Sequence, residues 1–261
     1  MCPECGTAVR ATILYNVDPH AEEFQPLTLP RLTSVCLVTW PAGALLAALA
    51  SWAMRGSDIA AVMSGSARGA AAWGGGVMLV GVLISGLSLI GLVRPSRGTS
   101  AWKGVAVVLA LACYAPLAWT VHAIATIDAG GGVPYFGPRI EADRVLLHMV
   151  QTVCFGAILG ASRPVARELV KRSLAMRTGR VDRQTILAMI AVCALMLVGD
   201  AMRWASIGAD MPQLLAVGTL TVAISSLFLT LGLGGAVVDG WRIALAIRSP
   251  APGLRQVIGG V

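Results

Sequence analysis

The sequence predicts an all-α integral membrane protein: one polytopic bundle of six transmembrane helices with both ends in the cytoplasm. Three observations carry this expectation. The chain is 56% hydrophobic and only 13% charged, where a soluble domain has about 25% charged residues. Its apolar residues gather into six runs near the ~20 residues that a helical span needs. Its basic residues collect beside alternate ends of those runs, in the pattern that sets membrane orientation.

The runs follow in order. Span 1 covers about 34–54, "SVCLVTWPAGALLAALASWAM". Span 2 covers about 70–93 and carries Gly76, Gly81, Gly86 and Gly91 at five-residue spacing. Small residues let helices approach closely, but this spacing drifts round the helix and forms no single stripe. Span 3 covers about 105–127. Span 4, about 145–162, is short and carries His148 and Gln151. Span 5, about 185–207, holds Asp200 and Arg203. Span 6, about 214–238, ends "LGLGGAVV", which reads as a packing face or a flexible break. Helices are required because a lipid-exposed sheet edge would leave backbone groups unpaired. Residues 1–33 form a polar N-terminal segment with Pro19, Pro26 and Pro30, and 239–261 form a tail.

Orientation follows from Lys and Arg. Fifteen lie on one side: Arg10 and Arg31; Arg94, Arg97 and Lys103; seven between Arg163 and Arg183; and Arg242, Arg248 and Arg255. Arg55, Arg68, Arg139 and Arg144 lie on the other. The richer side is cytoplasmic by the positive-inside rule, so both termini are inside. A bacterial inner membrane is the expected location, with the lipid bilayer as the main partner and no nucleic acid. Trp52, Trp73 and Trp204 near outer ends, with Trp102 and Trp241 near inner ends, read as interfacial belts. The stretch 163–183 suggests a short basic amphipathic helix on the inner leaflet, with Val165, Leu169 and Val170 on its apolar side.

The opening "MCPECG" stands apart. Cys2, Pro3, Glu4, Cys5 and Gly6 resemble one knuckle of the zinc-ribbon pair found at the N-terminus of many uncharacterised bacterial multi-span membrane proteins. The resemblance covers five residues. It implies metal binding by Cys2 and Cys5 and a fold for this segment, with no activity. A structural zinc takes about four ligands, and no second C-x-x-C follows. Three completions stay open: a knuckle encoded upstream, a second copy of the chain, or His20. Cytoplasmic thiols favour metal over disulfide. Cys36, Cys113, Cys154 and Cys193 lie singly in apolar runs and read as small apolar residues.

Ionisable residues inside spans mark candidate sites. With the N-terminus inside, His122, His148, Asp200 and Arg203 all fall within about 10 Å of outer span ends, at ~1.5 Å per residue. His122 and His148 could ligate a haem iron or another metal, with Asp200 accepting one imidazole N–H. The plainer alternative pairs Asp200 with Arg203 three residues away. Walker A, H-E-x-x-H and G-x-S-x-G patterns are absent from the sequence. The expected role is therefore non-enzymatic: a membrane scaffold or regulatory subunit whose zinc-knuckle-like N-terminus meets a cytoplasmic partner or a second copy. The alternatives are a haem- or metal-binding redox protein using His122, His148 and Asp200, and a small-solute transporter.

Overall fold

The computed structural model describes residues 29–64, 71–92, 101–130, 140–172, 185–209 and 211–248. They form six α-helices: α1 (Pro30–Ser64), α2 (Ala71–Leu92), α3 (Ala101–Ala129), α4 (Ala142–Arg172), α5 (Thr185–Ala209) and α6 (Pro212–Arg248). Each contains a stretch long and apolar enough to cross a membrane, with mean hydropathy between 1.7 and 2.2. The chain is a multi-pass, all-α integral membrane protein.

Several helices outrun their apolar cores. α1 has 35 residues and α6 has 37, so each is over 50 Å long at ~1.5 Å per residue. The hydrocarbon layer is only ~30 Å thick. A hydropathy count finds the part that lipid covers. The helix itself continues, because every further turn still pairs its own N–H and C=O groups.

Each helix packs against its neighbours in sequence, and α6 returns to pack on α1. The bundle is thus a closed ring. At one end Cys36 and Leu37 of α1 meet Leu92 of α2, Leu169 of α4 and Ile243 of α6. Toward the other end Met54 of α1 joins Met78 of α2 and Val121 of α3. A third cluster holds α4, α5 and α6 together through Leu159, Met189, Cys193 and Leu233, with Trp40 and Ala44 of α1 against it. Leu87, Leu220 and Leu231 face outward instead, each more than 60% exposed. In a membrane these side chains meet lipid tails, so the outer surface is as apolar as the core.

Two helix crossings depend on glycine. A Cβ on Gly43 of α1 would lie 2.6 Å from the Gly81 carbonyl oxygen and 2.7 Å from the Ser85 amide nitrogen of α2. A Cβ on Gly218 of α6 would lie 2.7 Å from the Gly199 carbonyl oxygen of α5. Backbone meets backbone at both places, as in small-residue crossings generally. The drift of the span 2 glycines serves different neighbours: Gly81 faces α1, Gly86 faces Tyr114 of α3, and Gly76 faces open space.

Of the two readings of the "LGLGG" stretch, the packing one holds: it is unbroken helix within α6, with Gly232 against Met189. Another expectation is corrected. The apolar stripe of Val165, Leu169 and Val170 does not belong to a separate surface helix. α4 runs on through Pro164 to Arg172, and the stripe packs on Cys36, Leu37 and Ile243. It found a protein partner, so it needs no lipid one. Trp52 is half-buried, and its indole N–H donates to Thr230 Oγ1 at 3.1 Å. Trp73, Trp204 and Trp241 are exposed, as interfacial residues are.

Candidate functional site

α5 shows how the sequence builds the site. Its buried residues are Met189, Cys193, Met196, Gly199, Asp200, Arg203 and Ser206. The three- and four-residue spacings keep them on one face. Asp200 and Arg203 therefore point into the bundle, and Gly199 beside them lets α6 close over that face. Asp200 is fully buried.

Four ionisable side chains from three helices form one hydrogen-bonded chain. Arg203 Nη1 donates to Asp200 Oδ1 at 3.2 Å. Asp200 Oδ2 lies 2.6 Å from His148 Nδ1 of α4. His148 Nε2 lies 3.0 Å from Arg55 Nη2 of α1. Arg55 Nη1 donates to Ser226 Oγ of α6 at 3.3 Å. A guanidinium can only donate. His148 Nε2 must therefore accept, which puts the imidazole proton on Nδ1, donated to Asp200. The chain fixes one neutral tautomer of His148. The Arg55 guanidinium also sits 5.8 Å from the Trp52 ring centre, within cation–π range.

This chain borders a cavity of about 110 Å³ to which all six helices contribute. Arg55, His148, Gln151 and Ser226 line one side. Toward the opposite end Tyr114 accepts from Trp40 Nε1 at 3.0 Å and lies 2.8 Å from Ser85 Oγ. Among the described residues no carboxylate lines this cavity, since Asp200 sits behind His148. A smaller cavity of about 30 Å³ lies next to it. Asp128 of α3 and Arg144 of α4, an ion pair, border the smaller space. Ser51, Arg55, Met78, His148 and Gln151 border both cavities and form the wall between them.

The structure brings together His148, Asp200 and Arg203 from the sequence-predicted layer. Both weighed pairings occur at once: Asp200 accepts from His148 and from Arg203. His122 is not part of the group. It is exposed on α3, while its neighbour Val121 faces the core. Both ring nitrogens of His148 are already engaged, so this arrangement presents no facing pair of imidazoles. Among the described residues no group of three or more His, Cys, Asp or Glu is placed to hold a metal ion. Cys2, Cys5 and His20 lie outside the described residues. Cys36, Cys113, Cys154 and Cys193 are not joined in disulfides.

Arg55 is the residue that sequence reasoning missed. It reads as a flanking topology marker beyond span 1, yet α1 continues past it to Ser64. One local signal was available. Ser51, Trp52 and Arg55 stand at i, i+1 and i+4, so Arg55 shares a helix face with a small polar residue. Arg144 was likewise counted as a loop residue and is buried on α4.

Charge at this depth is costly, and such residues normally face a bundle interior or a water-filled cavity. Arg55 and His148 both face the bundle interior and border its cavities. The arrangement can hydrogen-bond a small polar molecule, hold a proton on an imidazole, and keep a carboxylate out of direct reach. No protein-family model, curated protein or solved structure matches the chain.

Proposed function

We propose that the protein carries a small polar solute across the membrane through the internal cavity. The carrying observation is that all six helices enclose one cavity beside the Arg55–His148–Asp200–Arg203 chain. A bundle that served only as a scaffold would have no need of a cavity with buried polar walls. The weight therefore moves from the scaffold or regulatory role to the small-solute role. A dry cavity of ~150 Å³ accommodates benzene. By that scale 110 Å³ suits a solute of about four or five non-hydrogen atoms. The donor-rich lining favours a hydrogen-bond acceptor, neutral or anionic, of the size of urea, acetamide or acetate. With the basic side inside, the Asp128–Arg144 end faces outward and the smaller cavity is an outer antechamber.

Osmotic swelling of proteoliposomes tests this reading. Vesicles moved into iso-osmotic urea or acetamide should swell several-fold faster than protein-free vesicles, and Arg55→Met should change the rate. Swelling equal to the protein-free control for a panel of solutes of this size would remove the proposal.

The N-terminal knuckle carries a separate proposal, on the motif alone. Cys2 and Cys5 bind zinc, shared with a second copy or completed locally with His20. Elemental analysis of purified protein should give about one zinc per two chains for a shared site, or about one per chain for a local one, given four ligands per zinc. Protein that holds no zinc, and whose Cys2 and Cys5 alkylate at the same rate with and without added zinc, would exclude it.

A further inference from the structure

The wall between the two cavities contains a group whose hydrogen-bonding sense reverses on protonation. His148 Nε2 accepts from Arg55 Nη2 at 3.0 Å, and its other nitrogen is committed to Asp200 at 2.6 Å. A neutral imidazole can play both parts. An imidazolium cannot, because both of its nitrogens donate. It would keep its bond to Asp200 and would present a donor, and a positive charge, to a guanidinium 3.0 Å away.

We propose that protonation of His148 unlatches Arg55 and joins the two cavities. This rests on the solute-passage reading above and adds its regulation. The proton arrives from water in either cavity, since His148 borders both. The Nδ1–H stays with Asp200, which remains an acceptor for imidazolium and for Arg203. Arg55 keeps partners on its far side: Ser226 Oγ at 3.3 Å and the Trp52 ring. Its side chain therefore has somewhere to go when it leaves the wall.

Among the described side chains, the groups around His148 come from all the neighbouring helices. α1 presents Arg55, and α5 presents Asp200 with Arg203 bound to it. α2 contributes Met78 and α6 contributes Ser226, neither of them charged. On α3, Asp128 lies across the smaller cavity and is paired with Arg144 of α4. Tyr114 of α3 is held by Trp40 and Ser85 at the other end of the main cavity. His148 is thus the group between the two cavities that can exchange an acceptor for a donor by taking up one proton.

Cysteine labelling tests the latch. In full-length protein with all six native cysteines replaced by Ala, Ala48→Cys places one thiol on the main cavity. Reconstituted in phosphatidylcholine–phosphatidylglycerol vesicles, it is treated with iodoacetamide at about pH 5.5 and about pH 8, either side of the ordinary imidazole range. Each rate is divided by that of the detergent-unfolded protein at the same pH, which removes the loss of thiolate in acid. The normalised rate should be several-fold higher at the lower pH. With His148→Gln, whose side-chain oxygen accepts at either pH, the rate should be low and flat. With Arg55→Met it should be high and flat. A flat, measurable rate in the parent, or a pH response that survives His148→Gln, overturns the latch and leaves the passage reading standing. No labelling at either pH in any variant overturns both. The parent and His148→Gln decide the matter between them if Arg55→Met does not fold.

Discussion

Asp200→Ala is expected to destabilise the folded bundle by about 3–5 kcal/mol, the usual cost of removing one member of a buried ion pair. Asp200 is fully buried and is the carboxylate that both His148 and Arg203 use. Its loss takes from the buried Arg203 the carboxylate to which it donates. The measurement is unfolding in mixed micelles, followed by tryptophan fluorescence. The sharper test is the double variant. Buried ion pairs replaced by apolar residues on both sides are often neutral in stability, because the desolvation cost disappears with the charges. Asp200→Ala combined with Arg203→Met should therefore be more stable than Asp200→Ala alone. If the two losses simply add, Arg203 and Asp200 do not act as a unit, since independent sites add and coupled ones do not.

The second large effect concerns the α1–α2 crossing. Gly43→Ala should cost about 1–3 kcal/mol, as overpacking of a filled interface does. The added methyl would meet the Gly81 carbonyl and the Ser85 amide, and neither backbone atom can swing aside. Helix propensity alone works the other way, since Ala is favoured over Gly by about 1 kcal/mol within a helix. Gly76→Ala supplies the contrast, because a Cβ there meets nothing within 4 Å. It should be neutral or slightly stabilising in the same unfolding assay. Equal effects at the two positions would show that the crossing is looser than described.

The six helices were legible because lipid demands long apolar runs, and nothing else in the sequence produces six of them. Depth was legible too: position along a run places His148, Asp200 and Arg203 in one layer. Rotation about the helix axis was not. In water a helix shows its inward face by contrast with a polar outer one. In lipid Leu87 and Leu220 point outward and are as apolar as Leu89 and Val222, which are buried. His122 and His148 therefore looked equivalent, although only His148 faces the cavity. α5 is the exception, where Gly199, Asp200, Arg203 and Ser206 mark the inward stripe. Arg55 was lost for a different reason. Counting basic residues near span ends treats each as a topology signal, which takes no account of a helix that continues and turns its Arg inward.

The return of α6 onto α1 has a consequence for biogenesis. Ser34 of α1 contacts the Ala244 carbonyl of α6 across 210 positions of sequence. Trp52 and Arg55 find Thr230 and Ser226 on the same last helix. During synthesis α1 is made before the other described helices and α6 after them. The Trp52 indole N–H therefore meets its Thr230 hydroxyl only once α6 has been made. Arg55 meets His148 of α4 earlier and Ser226 of α6 later. The ring of helices closes when α6 packs on α1.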